Sequence, residues 1–475
     1  MPTERWSSRV GFLLATIGAA VGLGNIWRFA SVLGTNGGGA YLVPYLLAAF
    51  TVALPLLVLE FAVGRTLRLD VVSAFRSIDR SYTVFGWLVV GGVLLILSYY
   101  LVLTGWVFGF LVSWLVGTQT TFSTFTAGWL PVGFFVLVTV VVGGVVSVGV
   151  RGGIERLAKV VMPTVFALLV GLALYAVTFA GWGAAVAFLF TPDFSVLGDP
   201  TLWSAAVGQV FFSLSVGQGI MLTYGSYLDE GTDLFRSSLV ITVSDIAAAL
   251  CAGLVIFPIV FTFGLEPTLG TELAFTTLPT AFATMTGGRF VAVAFFGLLF
   301  LAAVSSAVSL LEVGVAAATN TTRLGRSRAT ILLTGGVFLV GIPSALSYSP
   351  VRLLVAGKPV LDLVDESAGT YALPISGFLI AVVFLWLADF ETVRAELGRL
   401  YPLAKYAIPP VIAVVTVARG LGVARPAWRL LVGRPRDGLV GVLLAAVLLL
   451  VLVGVGWLIR STLPDTGWRR RRRER

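Results

Sequence analysis

The sequence predicts an all-α protein that crosses a membrane many times, and three observations lead to this prediction. Hydrophobic residues make up 58% of the 475 residues, and charged residues make up only 12%. The mean hydropathy of +0.99 implies more apolar surface than the core of a soluble protein can bury. The apolar residues also form roughly twelve segments, each near or above the ~20 residues that a helix needs to cross a bilayer.

Each span is predicted where a long apolar run lies between charged or glycine- and proline-containing segments. In chain order the predicted spans cover residues 9–33, 38–67, 84–116, 129–149, 155–181, 201–227, 236–264, 289–320, 329–347, 366–388, 404–421 and 438–460. The last two conflict with the distribution of arginines, because the basic stretches 419–436 and 469–473 both favour the cytoplasmic side.

The chain is predicted to lie in the plasma membrane, and its basic residues predict a cytoplasmic N-terminus. Arginine and lysine favour the cytoplasmic side of a membrane. They follow spans two, four and eight, at Arg65, Arg68, Arg76, Arg80, Arg151, Arg156, Lys159, Arg323, Arg326 and Arg328. The net charge of +9 therefore reflects topology. At the basic tail we expect contact with anionic membrane lipid and no nucleic-acid partner, since the tail has no interleaved aromatic residues.

Glycines interrupt the first and the sixth span. Gly22-Leu23-Gly24-Asn25 and Gly217-Gln218-Gly219 lie inside apolar segments, although glycine costs about 1 kcal/mol relative to alanine in a helix. Backbone groups freed at membrane depth need partners, so such breaks are tolerated where they border protein or a cavity. Their matching positions in two halves of the chain predict a substrate and ion site between inverted repeats.

Several long motifs resemble the neurotransmitter:sodium symporter family, and its prokaryotic members in particular. In chain order they are Trp6–Phe12, Ala19–Phe29, Asn36–Tyr41, Pro44–Tyr45, Glu60–Arg65, Gly208–Ser215 and Ala302–Ser306. The resemblance extends over residues 5–390 in the order of the family. Paired helix breaks are a known feature of this family, so the breaks and the motifs are not independent observations.

The resemblance implies a leucine-transporter-like fold, in which two inverted five-helix repeats are followed by about two C-terminal helices. The first repeat would comprise residues 1–181. The second would comprise residues 201–388, with an extracellular lid at 265–288. Residues 389–475 would add the C-terminal helices and the basic tail, in a monomer or a homodimer.

The resemblance also implies two sodium sites. Sodium needs hard oxygen ligands, which broken helices, hydroxyls and amides supply at mid-membrane. One ion would be held by the substrate carboxylate with Ala20, Asn25, Ser213 and Asp245. The other would be held by the carbonyls of Gly18, Val21 and Ala302 and the hydroxyls of Ser305 and Ser306. A serine in an apolar helix can also simply bond back to a carbonyl, but two adjacent serines at the motif position favour the ion site.

Asp245 is the most costly side chain in the predicted spans, at about 3 kcal/mol for insertion of a carboxylate. Animal members of the family have asparagine here and bind chloride nearby, and Tyr45, Gln209 and Ser213 match other positions of that pocket. A fixed negative charge at residue 245 therefore predicts no chloride requirement. The alternatives are a protonated aspartate bonded within the bundle, and proton counter-transport.

The substrate class is inferred from a missing charge at Gly22. Monoamine members have aspartate there, so a glycine favours a substrate that brings its own carboxylate. Main-chain groups near Leu23 and Gly24 and the Tyr100 hydroxyl would receive it, unless Tyr100 is only a core residue. By similarity the pocket would comprise Ala20, Leu23, Gly24, Ile96, Tyr100, Phe212, Ser213, Ser215, Gln218, Ser306, Ala307 and Leu310. The polar Gln218 argues against a purely aliphatic substrate.

Gates are predicted on both sides of this site. Arg28 and Asp365 resemble the outer ionic gate, beneath which Tyr100 and Phe212 would form an aromatic lid. The inner ionic pair of the family is missing, because Thr3 and Asn320 stand at its two positions. Inner closure would then rest on Trp6 and Tyr227, with Arg5 as a possible substitute.

These expectations describe a sodium-coupled symporter that imports a neutral amino acid without chloride. A sodium-coupled carrier of another small carboxylate-bearing solute is an alternative. A substrate-gated channel or receptor on the same fold is another, and would show ion flux without stoichiometric uptake. An enzyme is not expected, since the chain has no histidine, a single cysteine (Cys251) and therefore no cysteine pair, and no glycine-rich phosphate loop after a strand.

Overall fold

The computed structural model describes residues 4–416 except 119, 192–193, 266–271, 323, 389 and 415. In this part of the chain eight helices are long and apolar enough to cross a membrane. A ninth span results if a bent helix pair near the N-terminus is counted as one. Apart from a short hairpin of β1 (Leu354–Val355) and β2 (Lys358–Pro359), the regular structure is helical, and the protein is a multi-span membrane protein.

The first half of the chain contains the bent pair and four long helices joined by short ones. In order these are α1 (Arg9–Ala20), α2 (Gly24–Thr35), α3 (Gly39–Leu67), α4 (Val71–Ile78), α5 (Arg80–Val116), α6 (Phe122–Thr126), α7 (Leu130–Ser147), α8 (Val150–Ala176) and α9 (Trp182–Phe190).

The second half begins with two short helices that flank a break and continues with four long ones. They are α10 (Pro200–Ser213), α11 (Ile220–Gly225), α12 (Leu234–Thr262), α13 (Leu278–Thr284), α14 (Gly288–Thr321), α15 (Arg326–Ser347), α16 (Val360–Leu387), α17 (Glu391–Leu397) and α18 (Leu403–Val414). A π-helical turn, Leu273–Thr277, leads into α13.

Eight of the predicted spans coincide with single long helices and differ from them only at their ends. The spans predicted at 9–33 and 201–227 are each two helices separated by a break. The span predicted at 404–421 begins as α18, an apolar helix shorter than a full span. Its remainder, the span at 438–460 and the basic tail lie outside the described residues.

Burial separates a central group of helices from an outer group. The most apolar windows of α3, α5 and α14 are 78%, 78% and 72% buried. The corresponding windows of α7, α8 and α15 are 39%, 33% and 33% buried. Since the outer helices are nearly as apolar as the central ones, we expect their exposed faces to meet lipid.

The break between α1 and α2 bends the chain by 53°. Ser8 caps the start of α1 by accepting a hydrogen bond from the Gly11 N–H at 3.0 Å. At the break, a Cβ atom on Gly22 would lie 2.5 Å from the Ser306 Oγ, and one on Gly24 would lie 2.7 Å from the Phe212 ring. Glycine at these positions therefore lets the Ser306 and Phe212 side chains pack directly against the backbone of the break.

The break between α10 and α11 is a turn with left-handed backbone at three positions. Ser215, Gly217 and Gly219 have φ angles of 52°, 79° and 69°, which glycine adopts at little cost and serine does not. The Gly217 N–H, freed from helical bonding, donates to Glu60 Oε1 of α3 at 2.6 Å. A buried carboxylate thus satisfies the backbone that the break exposes.

Candidate substrate and ion site

A small cavity lies between the two helix breaks. It is lined by Ala19, Ala20, Gly22, Gly24, Ile96, Tyr100, Phe212, Ser215, Gln218, Ser306 and Leu310. These residues come from α1, α2, α5, α10, α14 and both breaks, and none carries a formal charge. The cavity is therefore suited to a small solute whose own charges are met by backbone, hydroxyls or ions.

The structure brings nine of the predicted pocket residues to the cavity wall and adds Ala19 and Gly22. Leu23, Ser213 and Ala307 are buried next to the cavity and do not line it. The Leu23 N–H donates to the Tyr100 hydroxyl at 3.2 Å, so Tyr100 touches the start of α2. The positive end of α2 and a phenol oxygen thus meet at the cavity, as a carboxylate-binding site requires.

A fully buried polar cluster joins the first break to α10 and α12. The Asn25 Nδ2 donates to Asp245 Oδ1 at 2.6 Å and to the Ser213 Oγ at 2.7 Å. Ser213 donates in turn to Asp245 Oδ2 at 2.8 Å. Asn25 Oδ1 accepts from the Gly22 N–H at 3.0 Å. In the described part of the chain no arginine or lysine forms an ion pair with Asp245.

Tyr45 and Gln209 flank this cluster on α3 and α10. Tyr45 is buried within hydrogen-bonding reach of Asp245 and Ser213. Gln209 Nε2 donates to the Gly24 carbonyl at 2.8 Å, so its amide stabilises the break. The four residues predicted as a chloride-surrogate pocket therefore lie around the start of α2.

A second oxygen cluster joins α1 to α14. The hydroxyls of Ser305 and Ser306 lie 2.9 Å and 3.2 Å from the Gly18 carbonyl oxygen. The same hydroxyls lie 2.9 Å and 3.3 Å from the Ala302 carbonyl oxygen. Val21, the first residue after α1, is also buried. Uncharged hard oxygens from two helices thus converge, which is the donor set that sodium prefers.

On the side predicted to be extracellular, Arg28 packs over Phe212, which lines the cavity. Its Nη1 lies 3.8 Å from Asp365 Oδ1, and the two side chains are 24% and 43% exposed. The guanidinium carbon lies 4.2 Å from the centre of the Phe212 ring, a cation–π distance. The predicted outer pair is therefore in contact, with the aromatic ring below it.

On the side predicted to be cytoplasmic, Trp6 packs beside the start of α1. Its ring packs against Phe12, Tyr224 and Tyr227, and its Nε1 donates to the Tyr224 carbonyl at 3.1 Å. The Tyr227 hydroxyl lies 2.8 Å from Glu312 Oε1. The two residues predicted to form the inner gate thus pack against each other.

Thr3 and Asn320, which stand where the family has its inner ion pair, form no ion pair among the described residues. Asn320 is exposed at the end of α14, and Thr3 lies outside the described residues. Arg5 contacts Asp229 at 3.5 Å, but the two side chains are 49% and 72% exposed. An ion pair so open to water stabilises little, so Arg5 is a weak substitute.

Sequence reasoning missed a buried ion pair at the inner end. Glu312 is fully buried and is bound by both terminal nitrogens of Arg326 at the start of α15. Arg326 also lies 3.4 Å from Glu4. Because Glu312 stands in an apolar span like Asp245, the same insertion-cost argument applied to Glu312 and Glu60 would have marked both as functional candidates.

A second missed acid, Glu155, fastens the N-terminal segment to the start of α8. Its carboxylate accepts from the Ser7 backbone N–H at 2.8 Å and contacts Lys159 Nζ at 2.7 Å. Its neighbour Arg151 donates to the Arg5 carbonyl at 2.9 Å. The segment before α1 is therefore held at the inner side by backbone as well as side-chain contacts.

Two interrupted helices around an uncharged cavity form the arrangement in which many secondary transporters hold their solute. Residues 3–130 and 126–407 match the model of the sodium:neurotransmitter symporter family. The chain is 31% identical over 448 residues to an uncharacterized sodium-dependent transporter of Haemophilus influenzae, covering 87% of this chain and 98% of the relative. It is 36% identical over 398 residues to the uncharacterized sodium-dependent transporter YhdH of Bacillus subtilis, covering 80% and 86%.

A solved structure shares the fold as well. The crystal structure of MhsT in complex with L-phenylalanine matches with a TM-score of 0.81 and 38% sequence identity, over 87% of this chain and 99% of that one. The chain belongs to the sodium:neurotransmitter symporter family. It is a sodium-dependent transporter and not an enzyme. The predictions of a sodium-dependent transporter and of a protein without enzymatic activity are therefore confirmed.

Proposed function

We propose that this chain imports a neutral amino acid together with two sodium ions by alternating access, without a need for chloride. The observation that carries the proposal is the uncharged cavity between the two helix breaks. Its wall is uncharged, and it lies between the Leu23–Tyr100 contact and the buried Asn25–Ser213–Asp245 cluster. A zwitterion fits such a site, because its carboxylate can bind at the helix end and beside a cation.

An amino acid is favoured over an amine by the absence of an acid at the first break. Gly22 stands at the cavity wall, where it contributes backbone and no acidic side chain. No carboxylate among the lining residues could pair with an amine that lacks its own acid. The complex of MhsT with L-phenylalanine supports the same substrate class by analogy.

The two oxygen clusters are the proposed sodium sites. The first would use Asn25, Ser213 and Asp245 with the Ala20 carbonyl and the substrate carboxylate. The second would use the carbonyls of Gly18, Val21 and Ala302 with the hydroxyls of Ser305 and Ser306. In both, the hydroxyl protons would turn away so that oxygen lone pairs face the ion. The shared carboxylate of the first site would couple substrate binding to ion binding.

Chloride independence is supported by how Asp245 is satisfied. Its two carboxylate oxygens take the Asn25 and Ser213 donors, and Gln209 donates to the Gly24 carbonyl. A chloride ion would need such donors and would also be repelled by the carboxylate. The negative charge that chloride supplies elsewhere in the family would come here from the chain.

The proposal takes residues 1–181 and 201–388 as two inverted repeats that would move against each other around the site. In the proposed orientation the N-terminus is cytoplasmic, so that the Trp6 closure faces inward and the Arg28–Asp365 closure faces outward. Residues 265–288 would cover the outer side. The C-terminal residues 389–475 would add the last helices.

The test is a binding screen on purified protein in lipid nanodiscs. The twenty amino acids are added in sodium buffer and in potassium buffer, and the melting temperature is measured. A ligand in 100-fold excess over its Kd stabilises by about 2.7 kcal/mol, so a shift is expected with sodium only. Uptake by proteoliposomes under a sodium gradient then follows for each hit. Equal shifts in the two buffers, or binding without sodium-driven uptake, contradict the proposal.

A further inference from the structure

Gln218 is the polar side chain of the cavity that the protein itself leaves unsatisfied. It lines the cavity and is 4% exposed. Within the described chain no residue hydrogen-bonds its carboxamide, and both polar atoms of that carboxamide keep some accessible surface. The other polar groups differ: Ser215 donates to the Ala19 carbonyl at 3.0 Å, and Ser306 contacts the Gly18 carbonyl.

The backbone holds this carboxamide in place. Gln218 stands between two glycines with positive φ, and the turn is fixed by the Gly217 N–H bond to Glu60. A Cβ on Gly217 would lie 2.9 Å from the Gly377 Cα atom and from the Leu373 carbonyl oxygen, so the turn is also packed tightly against α16. The carboxamide is therefore presented to the cavity by a rigid segment.

We propose that Gln218 selects neutral amino acids whose side chains carry a hydroxyl or a carboxamide. This inference rests on the proposed function, since it concerns the side-chain end of the same site. A carboxamide can donate and accept at once. An aliphatic side chain would leave it buried without a partner, whereas a hydroxyl or amide satisfies it. A charged side chain is disfavoured because no lining residue carries an opposite charge.

The first test compares substrates of equal shape on the unaltered protein. Affinities for threonine and valine, and for asparagine and leucine, are measured by titration calorimetry in sodium buffer. Each polar member is expected to bind about tenfold tighter or more than its apolar counterpart. Equal affinities, or tighter binding of valine and leucine, overturn the inference.

The second test uses Gln218→Met, which keeps the length of the side chain and removes its hydrogen bonding. The variant is expected to bind leucine at least as tightly as asparagine, which inverts the order of the unaltered protein. Alanine serves as the control ligand, because its single methyl offers nothing to the carboxamide, and its affinity should stay within about threefold. A polar preference that survives in the variant overturns the assignment to Gln218.

The two tests also separate this inference from the proposed function. If no amino acid binds in a sodium-dependent manner, both are wrong. If amino acids bind with sodium but the polar and apolar partners are not distinguished, the proposed function stands and the role of Gln218 is wrong. If Gln218→Met does not fold, the comparison of polar and apolar substrates on the unaltered protein still decides the question.

Discussion

Replacing Asp245 by asparagine removes one charge from the centre of the protein and little else. Asparagine has the same shape and keeps one side-chain oxygen. Both donors to the aspartate, the Asn25 amide and the Ser213 hydroxyl, would then face one oxygen and one NH2 group. The Ser213 hydroxyl can rotate and accept, so we expect the variant to fold.

The cost falls on sodium binding. A sodium ion about 4 Å from a carboxylate gains about 4 kcal/mol at an effective dielectric constant near 20. Asp245 is completely buried, so screening by water does not remove this term. Because the other oxygen ligands remain, we expect a loss of about 2–3 kcal/mol, roughly 30- to 150-fold in sodium affinity.

The assay is sodium-driven uptake in proteoliposomes, with chloride or gluconate as the anion. The unaltered protein should transport equally in both. Asp245→Asn should be slow in gluconate and partly rescued by chloride, since an anion could then occupy the space near Tyr45 and Ser213. Rescue should be incomplete, because Ala249, one helical turn further along α12, offers no hydroxyl. Uptake by the unaltered protein that falls sharply in gluconate would refute the reasoning.

Three further predictions concern the other parts of the site. Gly22→Asp should abolish amino-acid uptake, because the new carboxylate repels the carboxylate of the substrate. Gly22→Ala is the control for the steric contact between a side chain at residue 22 and Ser306. Retained uptake in the aspartate variant contradicts the prediction. Ser305→Ala should weaken sodium affinity about 5- to 10-fold by the loss of one ligand, with the order of substrate affinities unchanged in competition assays. Arg326→Gln should lower the melting temperature, because it leaves the buried Glu312 carboxylate without its ion-pair partner. The loss of stability reaches about 3–5 kcal/mol for fully buried pairs and should be smaller here, since Arg326 is 19% exposed. Adding Glu312→Gln should recover part of the lost stability, and a double variant no more stable than Arg326→Gln argues against the pair.

The sequence predicted the positions of the long helices and of both breaks because these depend on local composition. An apolar run of sufficient length must cross the membrane as a helix, and glycines at 22, 24, 217 and 219 mark where regular helix stops. The family motifs then pointed to Arg28 and Asp365, which the structure brings to 3.8 Å. Whether the marked oxygens hold sodium stays a prediction.

Inner closure was only partly predictable. Trp6 and Tyr227 follow from the motifs, whereas the Glu312–Arg326 pair does not, because no pattern indicates that the start of α15 folds back onto α14. The side-chain orientation of Gln209 was equally hidden. Its amide faces the Gly24 carbonyl, 185 positions away in the chain, and only packing decides between that contact and the aspartate.

The amino-acid sequence by itself determined that this chain is a membrane protein with two broken helices and that Asp245 needs a partner. Those conclusions depend on hydropathy and on the cost of single residues at membrane depth, which are local quantities. Tertiary structure decided which groups become partners: Asn25 meets Asp245 across 220 positions, and Gln218 is left without a partner facing the cavity. Hydrogen bonds and burial are properties of surfaces brought together, so they exist only once the helices have packed.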